Sequence, residues 1–194
     1  GVLFRSKPIP GPRTCFWRRG PASKDPYINI AYPDAGVYYW NATFTVPEGA
    51  RLYLEGVFPH SRYMSLISYD GRGAPIESLA DYLIIPDENS TNPFVEGANR
   101  TIKKRTYTIE IVNLSPQIRR KEGTRLKLQT DVKGSGAQKE ISYRNSLNAT
   151  QYAHGQQSII YRIYVPDKYK NESGGVPLPE PVLTLQHRPE ERRV

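Results

Sequence analysis

The sequence predicts an all-β protein: an antiparallel β-sandwich of the jelly-roll kind, with about eight or nine short strands and an extended arm at each end. Three observations predict it. The side chains suit a pleated, half-buried surface, since 14 Tyr stand against one Met and aromatic residues make up 11% of the chain. Apolar residues recur with period two, and helical spacing is nearly absent. Turn residues interrupt these runs roughly every ten residues, the spacing of short strands in sandwiches. A chain of 194 residues fits one domain and can bury a core without metal or disulfide staples.

Residues 1–26 are rich in Pro and basic side chains and show no period, so they read as an extended N-terminal arm. Residues 27–175 read as the sandwich domain. Over 37–46 the chain alternates, with Tyr38, Trp40, Ala42, Phe44 and Val46 on one face and Tyr39, Asn41, Thr43 and Thr45 on the other. Pro47-Glu48-Gly49 reads as the turn of a hairpin into a strand over 51–58, with Leu52, Leu54 and Phe58 inward. Residues 55–94 then carry two strands, 62–70 and the short run Leu83-Ile84-Ile85, with a turn at Gly71-Arg72-Gly73-Ala74-Pro75 and a stop at Pro86-Asp87.

After the polar loop 88–100, Tyr107, Ile109 and Ile111 mark a strand whose other face is Thr106, Thr108 and Glu110. Further strands are expected over 124–130 and 139–144, the second as a charged edge. The last strong strand is 158–165, with Ile159, Tyr161, Ile163 and Val165 on its apolar face. Residues 176–194 revert to a Pro-rich C-terminal strand and tail, the second arm.

Asparagine carries the strongest compositional signal. Six of the nine Asn begin Asn-x-Ser/Thr triplets: Asn41, Asn89, Asn99, Asn113, Asn148 and Asn171. With 24 Ser and Thr among 194 residues, chance alone would place about one Asn in eight in such a triplet. The excess reads as N-linked glycan acceptors on exposed loops and outward strand positions, Asn113 being the weakest because Pro116 follows. It predicts a secreted, extracellular protein. The chain opens at Gly1 without a signal peptide, as a mature exported chain would, and no run approaches the ~18 apolar residues of a membrane span. The lone Cys15 excludes an internal disulfide and a cysteine metal cluster; it is either buried beside Phe16 and Trp17 or paired with another chain.

The net charge of +8 admits acidic partners such as a polyanionic glycan. The basic residues sit in small scattered clusters, among them Lys103-Lys104-Arg105 and Arg119-Arg120-Lys121, rather than in one stripe interleaved with aromatics, which argues against nucleic acid.

No nucleophile elbow and no local metal motif is present, and His60, His154 and His187 are far apart in sequence, so neither a cofactor nor a metal is expected. A paired-carboxylate site is the remaining enzymatic option, with Asp70, Asp81 and Asp87 as candidates. The candidate ligand-binding set is therefore His60, Arg62, Asp70, Arg72, Asp81, Asp87 and Tyr39, the last turned outward where its ring could stack on a sugar. The same residues also suit solvated strand ends.

The runs FPHSRYMSLISYD, ADYLIIPDENSTNPF, IIYRIYVPD and GGVPLPEPVL resemble a group of secreted bacterial proteins of similar length. These resemble in turn the β-sandwich families of domains of unknown function twelve-fourteen and twelve-fifty-four. The resemblance covers roughly residues 27–185. It implies a β-sandwich and export, and brings no established catalytic residues. A glycosylated chain would point to a eukaryotic or archaeal source, against the bacterial resemblance.

Two functions remain. One is a non-catalytic extracellular subunit that assembles with copies of itself or with neighbouring surface proteins through its arms, docking Phe4, Phe16 and Trp17 from the first and Leu178, Val182, Leu183 and Leu185 from the second. The alternative is a glycan-binding module or carbohydrate-active enzyme around His60, Arg62, Asp70 and Asp81.

Overall fold

The structure, a computed structural model, describes residues 16–17, 21, 36–114 and 144–185. Among them are eight strands: β1 (Val37–Thr45), β2 (Ala50–Val57), β3 (Ser61–Tyr69), β4 (Pro75–Ala80), β5 (Thr106–Val112), β6 (Ser146–Asn148), β7 (Gln156–Pro166) and β8 (Glu180–Leu185). Two single-turn 3-10 segments, Asp81–Leu83 and Ala153–Gly155, are the only helical pieces among the described residues. The strands form two four-stranded sheets, in the orders β1-β7-β3-β4 and β6-β5-β2-β8. Every pairing is antiparallel except that of β5 with β6. The protein is an all-β sandwich.

Period-two alternation builds the core. Trp40 and Ala42 of β1, Leu52 and Leu54 of β2, and Tyr107, Ile109 and Ile111 of β5 all point into one buried cluster, as their spacing dictates. Burying side chains of this size is worth about 1.5–3 kcal/mol each before the entropy of ordering them is counted. At one place two neighbouring strands of the same sheet, β2 and β5, leave no room at all. Gly56 sits opposite Tyr107 in register, and a Cβ on Gly56 would lie 2.4 Å from Tyr107 Cζ. The glycine lets the aromatic ring cover the neighbouring backbone. Gly56→Ala is therefore expected to displace the Tyr107 ring at a cost of about 1–3 kcal/mol. A urea midpoint equal to that of the wild type would show that the ring has space to move.

Several strand assignments change. Pro47-Glu48-Gly49 does turn the chain, with Ala50 N–H donating to Pro47 C=O at 3.0 Å, but it leads from one sheet to the other. β1 pairs with β7 and β2 with β5 and β8, so the two are not a hairpin. The turn between 70 and 75 leads instead into β4, and Leu83-Ile84-Ile85 is not a strand. The ladder stops there for a local reason: the Asp81 carboxylate accepts from Met64 N–H at 2.8 Å, in place of a further backbone partner for β3. Val165 leaves the apolar face because its φ of 48° breaks the alternation of β7, leaving it 50% exposed.

The terminal segments also change meaning. Residues 180–185, read as part of an arm, form the edge strand β8 on β2. Pro181 is tolerated at that edge, where a missing N–H need not interrupt a second ladder. Trp17 is 4% exposed within the core cluster, with Phe16 and Leu178 packed against it. The expectation that Phe16, Trp17 and Leu178 dock on a neighbour is corrected: they pack on their own sandwich. Phe4, Cys15, His187, the strand over 124–130 and all of 139–144 except Arg144 lie outside the described residues. Among the described residues, no helix is long and apolar enough to cross a membrane.

Candidate functional site

The β2–β3 corner, Phe58-Pro59-His60, lies at one end of the sandwich, with Phe58 in the core and His60 half-buried. Two further connections meet it there. The long segment between residues 84 and 105 returns to β5 at that end, with Phe58 N–H donating to Arg105 C=O at 2.8 Å and Asp87 N–H to Thr106 C=O at 3.0 Å. The loop after β7 is clipped to the His60 backbone: His60 N–H donates to Gly174 C=O and Asp167 N–H to His60 C=O, both at 2.9 Å. Gly174 is required at that clip, since a Cβ there would lie 2.7 Å from the Pro59 side chain. Connections longer than about 12–15 residues are unusual in compact domains and tend to be functional.

Arg105 lies at the heart of this end and is 3% exposed. Its Nη2 donates to Arg100 C=O at 2.8 Å, and its Nη1 stands 2.8 and 2.9 Å from the two ring nitrogens of His60. Its buried Nε has no partner. Among the described residues no carboxylate forms an ion pair with it. Burial first, and then the charge of Arg100, lower its pKa, while Asp167 opposes the shift. His60 is pushed below its ordinary value by burial and then by Arg105, Lys170 and Arg100. A neutral imidazole is also what the geometry requires, because a guanidinium can donate only to a ring nitrogen without a proton. Arg100 stays exposed, with Nη2 donating to Ser61 C=O at 2.6 Å and its head over the Phe94 ring.

Asp81 is the buried carboxylate of the same end, 3% exposed. Its Oδ2 accepts from Met64 N–H at 2.8 Å and its Oδ1 from Tyr82 N–H at 2.7 Å. Burial raises its pKa to about 6, against the lowering effect of those two amides and of Arg100. Asn92 locks the backbone around it, donating from Nδ2 to Asp81 C=O and Ile84 C=O at 2.7 and 2.8 Å. In the core behind, the buried hydroxyls of Tyr107 and Tyr161 are close enough to influence one another. Burial raises both of their pKa values.

Of the residues chosen from sequence, His60, Arg62, Asp81 and Asp87 share this end. Asp70 and Arg72 do not. β3 separates them from His60 by its nine residues, about 30 Å of extended chain. Asp70 Oδ1 instead caps its own turn, accepting from Arg72 N–H at 2.9 Å and Ala74 N–H at 2.8 Å. The paired-carboxylate arrangement of Asp70 with Asp81 is thereby corrected: the two are held apart by a strand and committed to backbone amides. Tyr39 faces outward on the β1-β7-β3-β4 sheet, its hydroxyl 3.4 Å from that of Tyr164, which also stacks edge-on against Tyr63. Among the described residues no three His, Cys, Asp or Glu side chains gather where they could hold a metal ion. Sequence reasoning missed Arg100, Arg105 and Lys170.

The glycan acceptors divide. Asn89, Asn99, Asn113 and Asn171 are exposed and Asn41 is half-buried on the outward side of β1. Asn148 is corrected: it is 4% exposed, its Oδ1 accepts from Leu114 N–H at 2.8 Å and its Nδ2 donates to Leu114 C=O at 3.3 Å. The nitrogen that a glycan would occupy is inside the protein.

The fold and site together define a β-sandwich with a cationic loop end. No family model and no curated protein matches the chain. Among solved structures it is similar to an uncharacterised protein from Burkholderia cenocepacia, at 10% identity and a TM-score of 0.41, with 79% of this chain covered. The match spans 31% of that protein's length.

Proposed function

We propose that this chain is a non-catalytic, N-glycosylated module of the extracellular surface that joins other chains, copies of itself among them, along the outer edge of β8. The edge is the observation that carries this reading. Among the described residues β8 is last in its sheet and pairs with β2 alone, and it leaves Leu183 and Leu185 45% and 59% exposed. Leu183 lies opposite the buried Leu52, so it carries core-side apolar surface past the rim of the sandwich. Glu180 and Pro181 guard only the start of β8, and the uncharged stretch from Val182 to Leu185 can accept another strand. Of the residues expected to dock on a neighbour, Val182 is half-buried on β8, and Leu183 and Leu185 are the ones still exposed. Strand addition between unlike surfaces builds rings or open filaments. The engagement of Asp70 and Asp81 with backbone amides supports a role other than hydrolysis.

Static light scattering tests the assembly. The mass should rise with concentration and fall to that of one chain in the variant Leu183→Lys/Leu185→Lys, whose edge charges oppose pairing. A wild-type protein that is one chain at every concentration overturns the reading.

Glycosylation is tested separately by mapping modified peptides of the native protein. Asn89, Asn99 and Asn171 should be modified, because they are exposed loop residues; in two of them the side-chain oxygen already accepts from the hydroxyl of the third triplet residue, Thr101 or Ser173. Asn148 should be bare. Bare asparagine at all three positions would remove the extracellular part of the proposal.

A further inference from the structure

Arg105 poses a physical problem that the rest of the fold does not answer. Buried cations are normally paired, because taking a charge out of water costs several kcal/mol unless an opposite charge replaces the lost hydration. Arg105 has a neutral imidazole and a carbonyl as its partners, and its Nε has none. The charged groups that act on His60 are Arg105, Lys170 and Arg100, all positive, and Asp167, the single acid. Around His60 three cations face one acid; Asp81, the carboxylate that also acts on Arg100, is buried and has both oxygens committed to backbone amides, so the exposed cations keep room for an anion.

We infer that the His60 end of the sandwich is a binding site for an oxyanion, a carboxylate or sulfate group carried by the ligand, held by Arg100 and Lys170 with Arg105 behind them. Arg100 offers the contact. One of its N–H groups is committed to Ser61 C=O, which fixes the side chain, while the residue stays exposed and the rest of its planar fork suits two oxygens of a carboxylate or sulfate. Lys170 stands on the loop clipped to His60, close enough for its charge to act on the imidazole. Its stem lies over Gly175, where a Cβ would be 2.8 Å from Lys170 Cδ, so the close backbone positions an otherwise flexible chain. Arg105 is too deep to reach the ligand. It contributes charge at short range in a medium that screens poorly. The site is fixed before the anion arrives, since both loops are held by backbone hydrogen bonds.

Isothermal titration calorimetry at constant ionic strength tests the site with three probes: sodium sulfate, sodium glucuronate and glucose. Both anions should bind saturably, with dissociation constants of about 1 mM, and glucose should give no heat. Arg100→Gln/Lys170→Gln, exposed at both positions, should bind at least tenfold more weakly. Arg51→Gln, at the far end of β2 in its pair with Glu110, should bind as the wild type does. Arg105→Met supplies a second readout: it should melt at least as high as the wild type in chloride and lose the rise in Tm that sulfate or glucuronate gives the wild type. Absence of saturable heat with both anions, equal binding of glucose, or an unweakened Arg100/Lys170 double variant overturns the inference.

Discussion

Asp81→Ala is expected to lower stability by about 2–4 kcal/mol, because it strips two backbone amides of their acceptor in a place that water does not reach. Asp81 is 3% exposed, and it takes Met64 N–H and Tyr82 N–H on its two oxygens. The end of the β3–β4 ladder and the turn Asp81–Leu83 both depend on it. The sign of its pH dependence follows from the pKa raised by burial to about 6 from an ordinary 3.8. The folded chain binds this proton more tightly than the unfolded one. The stabilising contribution is full below the unfolded value, declines as pH rises through about 6, and changes no further above it. A shift of about two units corresponds to about 3 kcal/mol at the limit.

Asp81→Asn keeps an acceptor and removes the titration. The stability of the wild type relative to this variant, read from urea midpoints by tryptophan fluorescence, should therefore fall between pH 4 and pH 6 and stay level from pH 7 to pH 8. Using the difference cancels the other carboxylates. A difference independent of pH would show that the carboxyl titrates normally and that the buried environment is wrong.

Strand faces were legible where alternation ran long enough to define a parity. Trp40 and Ala42, Leu52 and Leu54, and Ile109 and Ile111 point where their spacing says. Partners were not legible, because period two says which face is buried and nothing about which strand lies alongside. The same limit hid β6, whose three residues are too few to carry a parity, and with it the burial of Asn148. β8 was legible only as some strand within a Pro-rich C-terminal strand and tail, and its place in the sheet was hidden for a different reason. A Pro-rich segment reads as an arm, yet an edge strand needs only one ladder and tolerates Pro181.

At the loop end, His60 could be chosen from its place at a strand corner, but Arg105 was lost among the basic residues around it. A signal was present: Arg105 shares the parity of Tyr107, Ile109 and Ile111, so the strand that buries them carries a cation inward as well. Arg100 and Lys170 left no such trace. They meet His60 only because two loops are clipped to one corner by backbone hydrogen bonds, which no side-chain pattern records.

Trp17→Ala is expected to lower stability by about 3–5 kcal/mol, the range for a large aromatic removed from a core. Trp17 is 4% exposed, its ring stands edge-on to Phe16 at 5.0 Å and lies 5.9 Å from Tyr161, and its Nε1–H donates to Pro179 C=O at 2.8 Å. That bond joins the N-terminal segment to the residue just before β8. The loss should therefore be local as well as global, with the β8 amides exchanging faster with solvent than those of β5, which lies two strands in from β8. Trp17→Phe separates the two contributions. It retains much of the ring and leaves Pro179 C=O without its donor, so it should cost about 1–3 kcal/mol. The outcome also decides how the chain could assemble. If Trp17 served a neighbouring molecule, Trp17→Ala would abolish association and leave the urea midpoint of the single chain where it was. With Trp17 in its own core, the midpoint should fall, and any assembly along β8 should weaken only as far as β8 itself loosens. An unchanged midpoint together with lost association would return the N-terminal segment to a partner's surface.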